Sequence, residues 1–130
     1  MAVKTGDTKL AVDCLWRSYQ YTDELAPLME WIEESISKST RDINTNSAGE
    51  TEELQEKQEK VLDQLDKKRK TYVENKTKGE KILTDPKAPK FLSGHIEALN
   101  DKWKEANTAA EDRLKQLKGN KLLHLLVSFA

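Results

Sequence analysis

The sequence predicts an all-α fold, an antiparallel, up-down-up, left-handed three-helix coiled-coil bundle. Three long segments place apolar residues at alternating steps of three and four, the spacing at which a heptad repeat lines one side of a helix. Two short stretches rich in turn-forming residues separate these segments. Because the connections are short, the helices are expected to run up, down and up.

The composition favours one domain of long, solvated helices. Of the 130 residues, 35% are charged and 36% are apolar. The net charge of −1 gives no overall field to attract nucleic acid or an anionic membrane, so neither is an expected partner. No apolar run approaches the ~20 residues of a membrane-spanning helix. A single cysteine, Cys14, and no recognisable secretory leader indicate a cytoplasmic location.

The first helix is predicted over residues 10–40, after a flexible leader at residues 1–9. Its apolar stripe supplies four residues of the predicted core: Tyr21, Leu28, Trp31 and Ile32. Pro27 interrupts the pattern, since a proline inside a helix removes a hydrogen bond at a cost of ~3 kcal/mol. Either the helix kinks there, or it restarts with Thr22 or Asp23 as its cap. The stripe continues on both sides, which favours one kinked helix.

The second helix is predicted over residues 50–83, after a break at residues 42–49. Ser47 followed by Glu50 matches a capping box at its start. Its predicted core residues are Leu54, Val61, Leu65 and Tyr72. Other positions of the same stripe are polar or glycine: Gln58, Lys68, Asn75 and Gly79. This stripe is the weakest of the three and predicts the most mobile helix.

The third helix is predicted over residues 89–118. Pro86 and Pro89 end the second helix, and a proline suits the first turn of a new one. Its stripe runs from Leu92 to Leu117 in alternating steps of four and three, and its predicted core residues are Ile96, Leu99, Trp103, Ala106, Ala110 and Leu117. Arg113 lies in the same row.

Residues 119–130 form an apolar tail, which includes Leu122 and Phe129. In a functional interpretation, the tail is a docking helix or a fragment of a further domain. In the favoured interpretations, it is a helix continuation folded onto the bundle, or it consists of residues foreign to the parent protein. An exposed apolar tail would promote self-association of a fragment that is otherwise expected to be a monomer.

The sequence predicts no catalytic residue, no cofactor and no metal ligand. His95 and His124 have no cysteine or second histidine at metal-ligand spacing. The basic run Lys67–Lys70 could serve nuclear import or dock an acidic partner such as actin. Four successive helical residues point in nearly all directions, so a solvated surface is favoured. Trp16, Tyr19 and Tyr21 cluster near the start and could form a partner or inter-repeat contact, but packing in the core or at a junction is favoured.

The chain resembles the spectrin repeat family over residues 21–118. Trp31 and Trp103 match the two tryptophans of such repeats, and residues 99–103 resemble the surroundings of the second one. Gly79 and residues 82–83 resemble the end of the family's second helix. The spacing is similar to that of the dystrophin, nesprin and plakin branches. Pro27 and the small Ala106 and Ala110 depart from a typical repeat.

This resemblance implies a non-catalytic spacer in an actin- or membrane-linked cytoskeletal protein. Its partners would be neighbouring repeats and cytoskeletal or membrane-associated proteins, and it would also offer a protein-binding surface. The resemblance implies that Trp31 lies opposite Trp103 in one core. An alternative is a coiled-coil adaptor that dimerises through its helices, although the two breaks favour hairpins within one chain.

Overall fold

A computed structural model describes residues 5–42 and 47–129 and contains three helices. They are α1 (Thr5–Thr40), α2 (Ala48–Leu83) and α3 (Phe91–Phe129). No strand occurs within the described residues. The predicted all-α, three-helix fold is confirmed.

The helix bounds differ from the predicted ones mainly at the start of the first helix and at the end of the third. α1 begins at Thr5, so the predicted leader is helical from residue 5 onward, and residues 1–4 lie outside the described part. α1 also continues through Pro27 as one helix, which excludes a restart. α3 begins at Phe91, two residues after the predicted start. Pro89 lies before the helix, and its carbonyl accepts a hydrogen bond from the Leu92 amide at 3.2 Å. α3 extends past the predicted end at 118 to Phe129.

The start of α2 follows the predicted cap. The Ser47 hydroxyl accepts a hydrogen bond from the Glu50 amide at 3.2 Å, which satisfies one of the free amides of the first turn. The Ser47 carbonyl accepts from both the amide and the hydroxyl of Thr51. Residues 43–46 of the predicted break lie outside the described residues.

The chain divides into two compact units, and each helix contributes to both. Unit 1 comprises residues 5–31 and 70–103 of the described chain. Within it α1 and α2 are antiparallel, since Arg17 pairs with Asp85 while Glu24, further along α1, pairs with Lys78. The buried side chains of unit 1 are mostly large and apolar: Cys14, Ser18, Tyr21, Leu25, Leu28, Ile82, Leu92, Ile96, Leu99 and Trp103.

Unit 2 comprises residues 32–42, 47–69 and 104–129. α2 and α3 are antiparallel in it, since Glu52 pairs with Lys121 while Gln58 bonds to Ala110. Its buried side chains are smaller and more polar: Ile32, Ser35, Ser39, Thr51, Gln58, Val61, Leu65, Ala106, Ala110 and Leu117. The polar members are therefore expected to need hydrogen-bond partners.

Three of the predicted core side chains are only half-buried, and all the others are buried. Tyr72 keeps its hydroxyl at the edge of unit 1, where it reaches Asn100. Leu54 borders a surface groove in unit 2. Trp31 is also half-buried, and a direct contact between Trp31 and Trp103 stays a prediction.

Candidate interaction surfaces

Trp103 and Tyr72 form the aromatic centre of unit 1. Their rings stack with centroids 4.6 Å apart and an interplanar angle of 10°. The Tyr72 hydroxyl donates to Asn100 Oδ1 at 2.6 Å. Burial, with the Glu80 carboxylate as a smaller cause, raises the pKa of Tyr72 and keeps its hydroxyl a donor. This cluster holds α2 against α3.

Tyr21 joins α1 to α2 elsewhere in unit 1. Its hydroxyl donates to the Asn75 carbonyl at 2.9 Å, and its ring lies against Gly79. Burial raises the pKa of Tyr21, and the Glu80 carboxylate adds to the rise. The ring is fully buried, so Tyr21 also has a structural role.

Cys14 is a buried side chain near the Arg17–Asp85 ion pair of unit 1. Burial raises the pKa of its thiol, and the nearby Asp85 carboxylate adds to the rise. A protonated, buried thiol is a poor nucleophile, so Cys14 acts as a small apolar core residue. Within the described residues, no group of three or more His, Cys, Asp or Glu side chains is placed to hold a metal ion.

The first turns of α1 present an exposed apolar surface in unit 1. Trp16 is 64% exposed and Tyr19 is 55% exposed, so neither is part of the core, and their packing at a junction stays a prediction. Tyr19 contacts Phe91 of α3 with ring centroids 5.1 Å apart. Leu10, Val12 and Leu15 of the same stretch are also exposed.

The end of α3 presents a second apolar surface, in unit 2. The tail is a helix continuation, anchored by an ion pair of 3.3 Å between Lys121 and Glu52. Five of its apolar side chains are exposed: Leu122, Leu123, Leu125, Leu126 and Val127. Leu122 and Leu125 lie beside Gln55 of α2 at a shallow surface pocket, although all five side chains are largely in contact with water. The three interpretations of the tail stay predictions.

A cationic groove of about 410 Å³ opens on the surface of unit 2. Its floor is apolar and is made by Leu54, Val61 and Leu117. Five cations and one carboxylate surround this floor: Lys38, Arg41, Lys57, Lys60, Arg113 and Asp42. The groove is therefore suited to an anionic ligand with an apolar part.

Arg113 has a structural role in this groove. Its guanidinium donates to the Arg41 carbonyl, just beyond the last residue of α1. The carbonyls at a helix end lack partners and form the negative end of the helix dipole, so a cation is favourable there. The arginine in the otherwise apolar stripe of α3 therefore caps α1.

The basic run Lys67–Lys70 forms no compact site. Lys67 pairs with Asp63 at 3.0 Å and Arg69 pairs with Asp66 at 3.7 Å, all four on the exposed surface of α2. Sequence reasoning singled out this run and missed the groove. The signal was present in Lys57 and Lys60, which are three residues apart beside Leu54 and Val61 on one side of α2.

A family model described as "Spectrin repeat" matches residues 17–119. The chain belongs to the spectrin repeat family. Its membership makes this chain a structural module of a non-catalytic family. No described helix is long and apolar enough to span a membrane.

This spectrin repeat is similar to the "Muscle-specific protein 300 kDa" of Drosophila melanogaster. The two are 23% identical over 112 residues, which cover 86% of this chain and 1% of that protein. No solved structure matches the chain.

Proposed function

We propose that this spectrin repeat is a non-catalytic spacer in a cytoplasmic, actin- or membrane-linked cytoskeletal protein, and that it also offers a protein-binding surface. One observation supports the spacer role above all. α1 and α3 both extend as helices beyond the family match at residues 17–119, and both extensions expose apolar side chains. Adjoining repeats in one parent chain would cover these surfaces, which are costly to leave in water.

The muscle relative supports a modular parent. This chain spans 1% of that protein's length, which leaves room for many modules. In such a parent, the end of α3 would run into the first helix of the next repeat. The exposed leucines of α3 and the exposed Trp16 of α1 would then lie at junctions between repeats.

The spacer role is testable with two copies of this chain joined directly, so that α3 of the first continues into α1 of the second. We expect the tandem to melt at least ~3 °C above the single chain, because covering apolar surface at the junction adds on the order of 1 kcal/mol. Trp16 fluorescence should also shift to shorter wavelength. Thermal melting followed by circular dichroism measures the first effect.

The matched control is the same tandem with a flexible Gly-Ser linker between the copies, which interrupts the junction helix. It should melt at the temperature of the single chain. Direct and linker-joined tandems that both melt like the single chain would contradict the spacer role.

The apolar tail supports the second candidate function, a coiled-coil adaptor that dimerises. Five exposed apolar side chains on one helix end are a surface on which two copies can associate. Sedimentation velocity over a range of concentrations tests it. A dimer that persists on dilution would favour the adaptor, and a monomer throughout would favour the spacer.

A further inference from the structure

We propose that the cationic groove of unit 2 binds an acidic, amphipathic helical segment of a partner protein. The inference rests on the part of the proposed function in which the repeat offers a protein-binding surface. It adds where that surface is and what chemistry the partner has.

Among the described residues that line the groove, five cations face a single carboxylate, that of Asp42. Within the described residues, no ion pair joins Lys38, Arg41, Lys57 or Lys60 to a carboxylate, and all four side chains are exposed. The chain as a whole has a net charge of −1, so this concentration of cations is local. Such a local excess attracts an anionic partner and orients it as it approaches.

The cleft of unit 1 offers a comparison in which two of the three lining cations are paired with carboxylates. It measures about 680 Å³, and its lining includes Arg17 and Lys78. There, however, Arg17 pairs with Asp85, and Lys78 pairs with Glu24. Within the described residues, the lysines of the unit 2 groove make no such ion pair.

The apolar floor indicates that the ligand has an apolar part in addition to its negative charge. Of the three floor residues, Val61 and Leu117 are buried and Leu54 is half-buried. A large apolar side chain would cover these carbons, while carboxylates on either side of it would meet the cations. This is how an amphipathic helix occupies a groove.

The spacing of the cations also matches a helix. Lys57 and Lys60 are three residues apart on α2, while Lys38 is on α1 and Arg41 lies just beyond its end. The α2 pair therefore spans roughly 4.5 Å along the helix axis, about one turn, which is also the spacing of carboxylates at i and i+3 or i+4 on a ligand helix.

A membrane surface fits the groove less well than a helix does. The exposed Glu34 and Glu53 each precede a groove lysine by four residues on the same helix. A broad anionic surface would meet these carboxylates as well as the cations, and like charges repel. A narrow helix lying in the groove avoids them.

The experiment is a fluorescence anisotropy titration of the whole chain with a labelled synthetic helical peptide. One face of this peptide alternates glutamates and leucines, and the control peptide has glutamine in place of each glutamate. We expect the acidic peptide to bind and to weaken with added salt. The double variant Lys57→Glu, Lys60→Glu should bind it at least about tenfold more weakly, since it reverses half of the unpaired charge.

The matched control is Lys104→Glu, Lys115→Glu, which makes the same change of charge at exposed positions of α3 outside the groove. It should keep its affinity within about twofold, a difference well under 1.4 kcal/mol. Circular dichroism establishes that both variants keep the helicity of the parent chain.

Three results would overturn the proposal. They are no binding of the acidic peptide by the parent chain, equal loss of affinity in the groove and control variants, and binding to phosphatidylcholine–phosphatidylserine vesicles but not to the peptide. The spacer role is judged separately by the melting of the tandem, so a failed titration leaves it intact.

Discussion

At the scale of single residues, Gly79 shows how closely the helices of unit 1 approach each other. A Cβ atom there would lie 2.6 Å from the Tyr21 hydroxyl oxygen and 2.9 Å from Ile96 Cδ1. No described glycine has a positive φ, so Gly79 is needed for space and not for an unusual backbone conformation. The Tyr21 hydroxyl is bonded to the Asn75 carbonyl, so moving the ring would break that bond.

We expect Gly79→Ala to destabilise the fold. Overpacking costs about 1–3 kcal/mol, and the better helix propensity of alanine offsets only about 1 kcal/mol of it. The matched control is Gly94→Ala, also on a helix, where a Cβ would meet nothing within 4 Å. It should stabilise the fold by about 0.5–1 kcal/mol. Urea denaturation measures the free energy of unfolding of both variants. A Gly79→Ala variant as stable as Gly94→Ala would show that the Tyr21 ring moves aside without cost.

At the scale of helices, the polar positions of α2 are less of a weakness than the sequence indicates. Gln58 is buried, and its Nε2 donates to Ser39 Oγ of α1 and to the Ala110 carbonyl of α3, both at 3.0 Å. Its amide thus joins all three helices of unit 2. A buried polar group that bonds both neighbours favours one alignment of the helices over shifted ones. The predicted mobility of α2 stays a prediction.

Gln58→Ala is expected to lower the free energy of unfolding by about 2–3 kcal/mol, since two buried hydrogen bonds are lost and a cavity remains. Gln64→Ala, at an exposed position of the same helix, is the control and should change it by less than about 0.5 kcal/mol. Chemical denaturation of the two variants, carried out side by side, measures both changes in the free energy of unfolding. Equal, small effects would mean that water replaces the bridging amide without cost.

At the scale of the whole molecule, the two units differ in what they bury. Unit 1 buries Tyr21, Leu92, Leu99 and Trp103, whereas α3 contributes two alanines to the core of unit 2. Burial of apolar surface stabilises by about 25 cal/mol per Å², so cores of small and polar side chains hold their helices less strongly. Unit 2 is therefore expected to be the less stable of the two.

Amide hydrogen exchange tests this difference along a single helix. We expect the amides of residues 104–117 to exchange faster than those of residues 95–103, because local opening requires less free energy where less apolar surface is buried. Both stretches lie inside α3, away from its ends, so fraying affects neither. Uniform protection along α3 would contradict the prediction and show that the chain opens only as a whole.

The sequence by itself determined the fold class, the number of helices, and most of the core. Periodicity specifies which side of a helix is buried, so Leu99, Trp103 and Ala106 could be placed without knowing their partners. The Ser47 cap was equally predictable, because a cap depends only on residues within one turn.

Only the tertiary structure decided what lies opposite each side chain. The stack of Tyr72 on Trp103, the cap that Arg113 of α3 places on α1, and the four unpaired cations around Leu54 all join residues far apart in the chain. The spacing within one helix specifies which side is buried but not the axial register against the next helix, and long-range contacts depend on that register. For this reason the sequence predicted the bundle, and the structure was needed to find the groove.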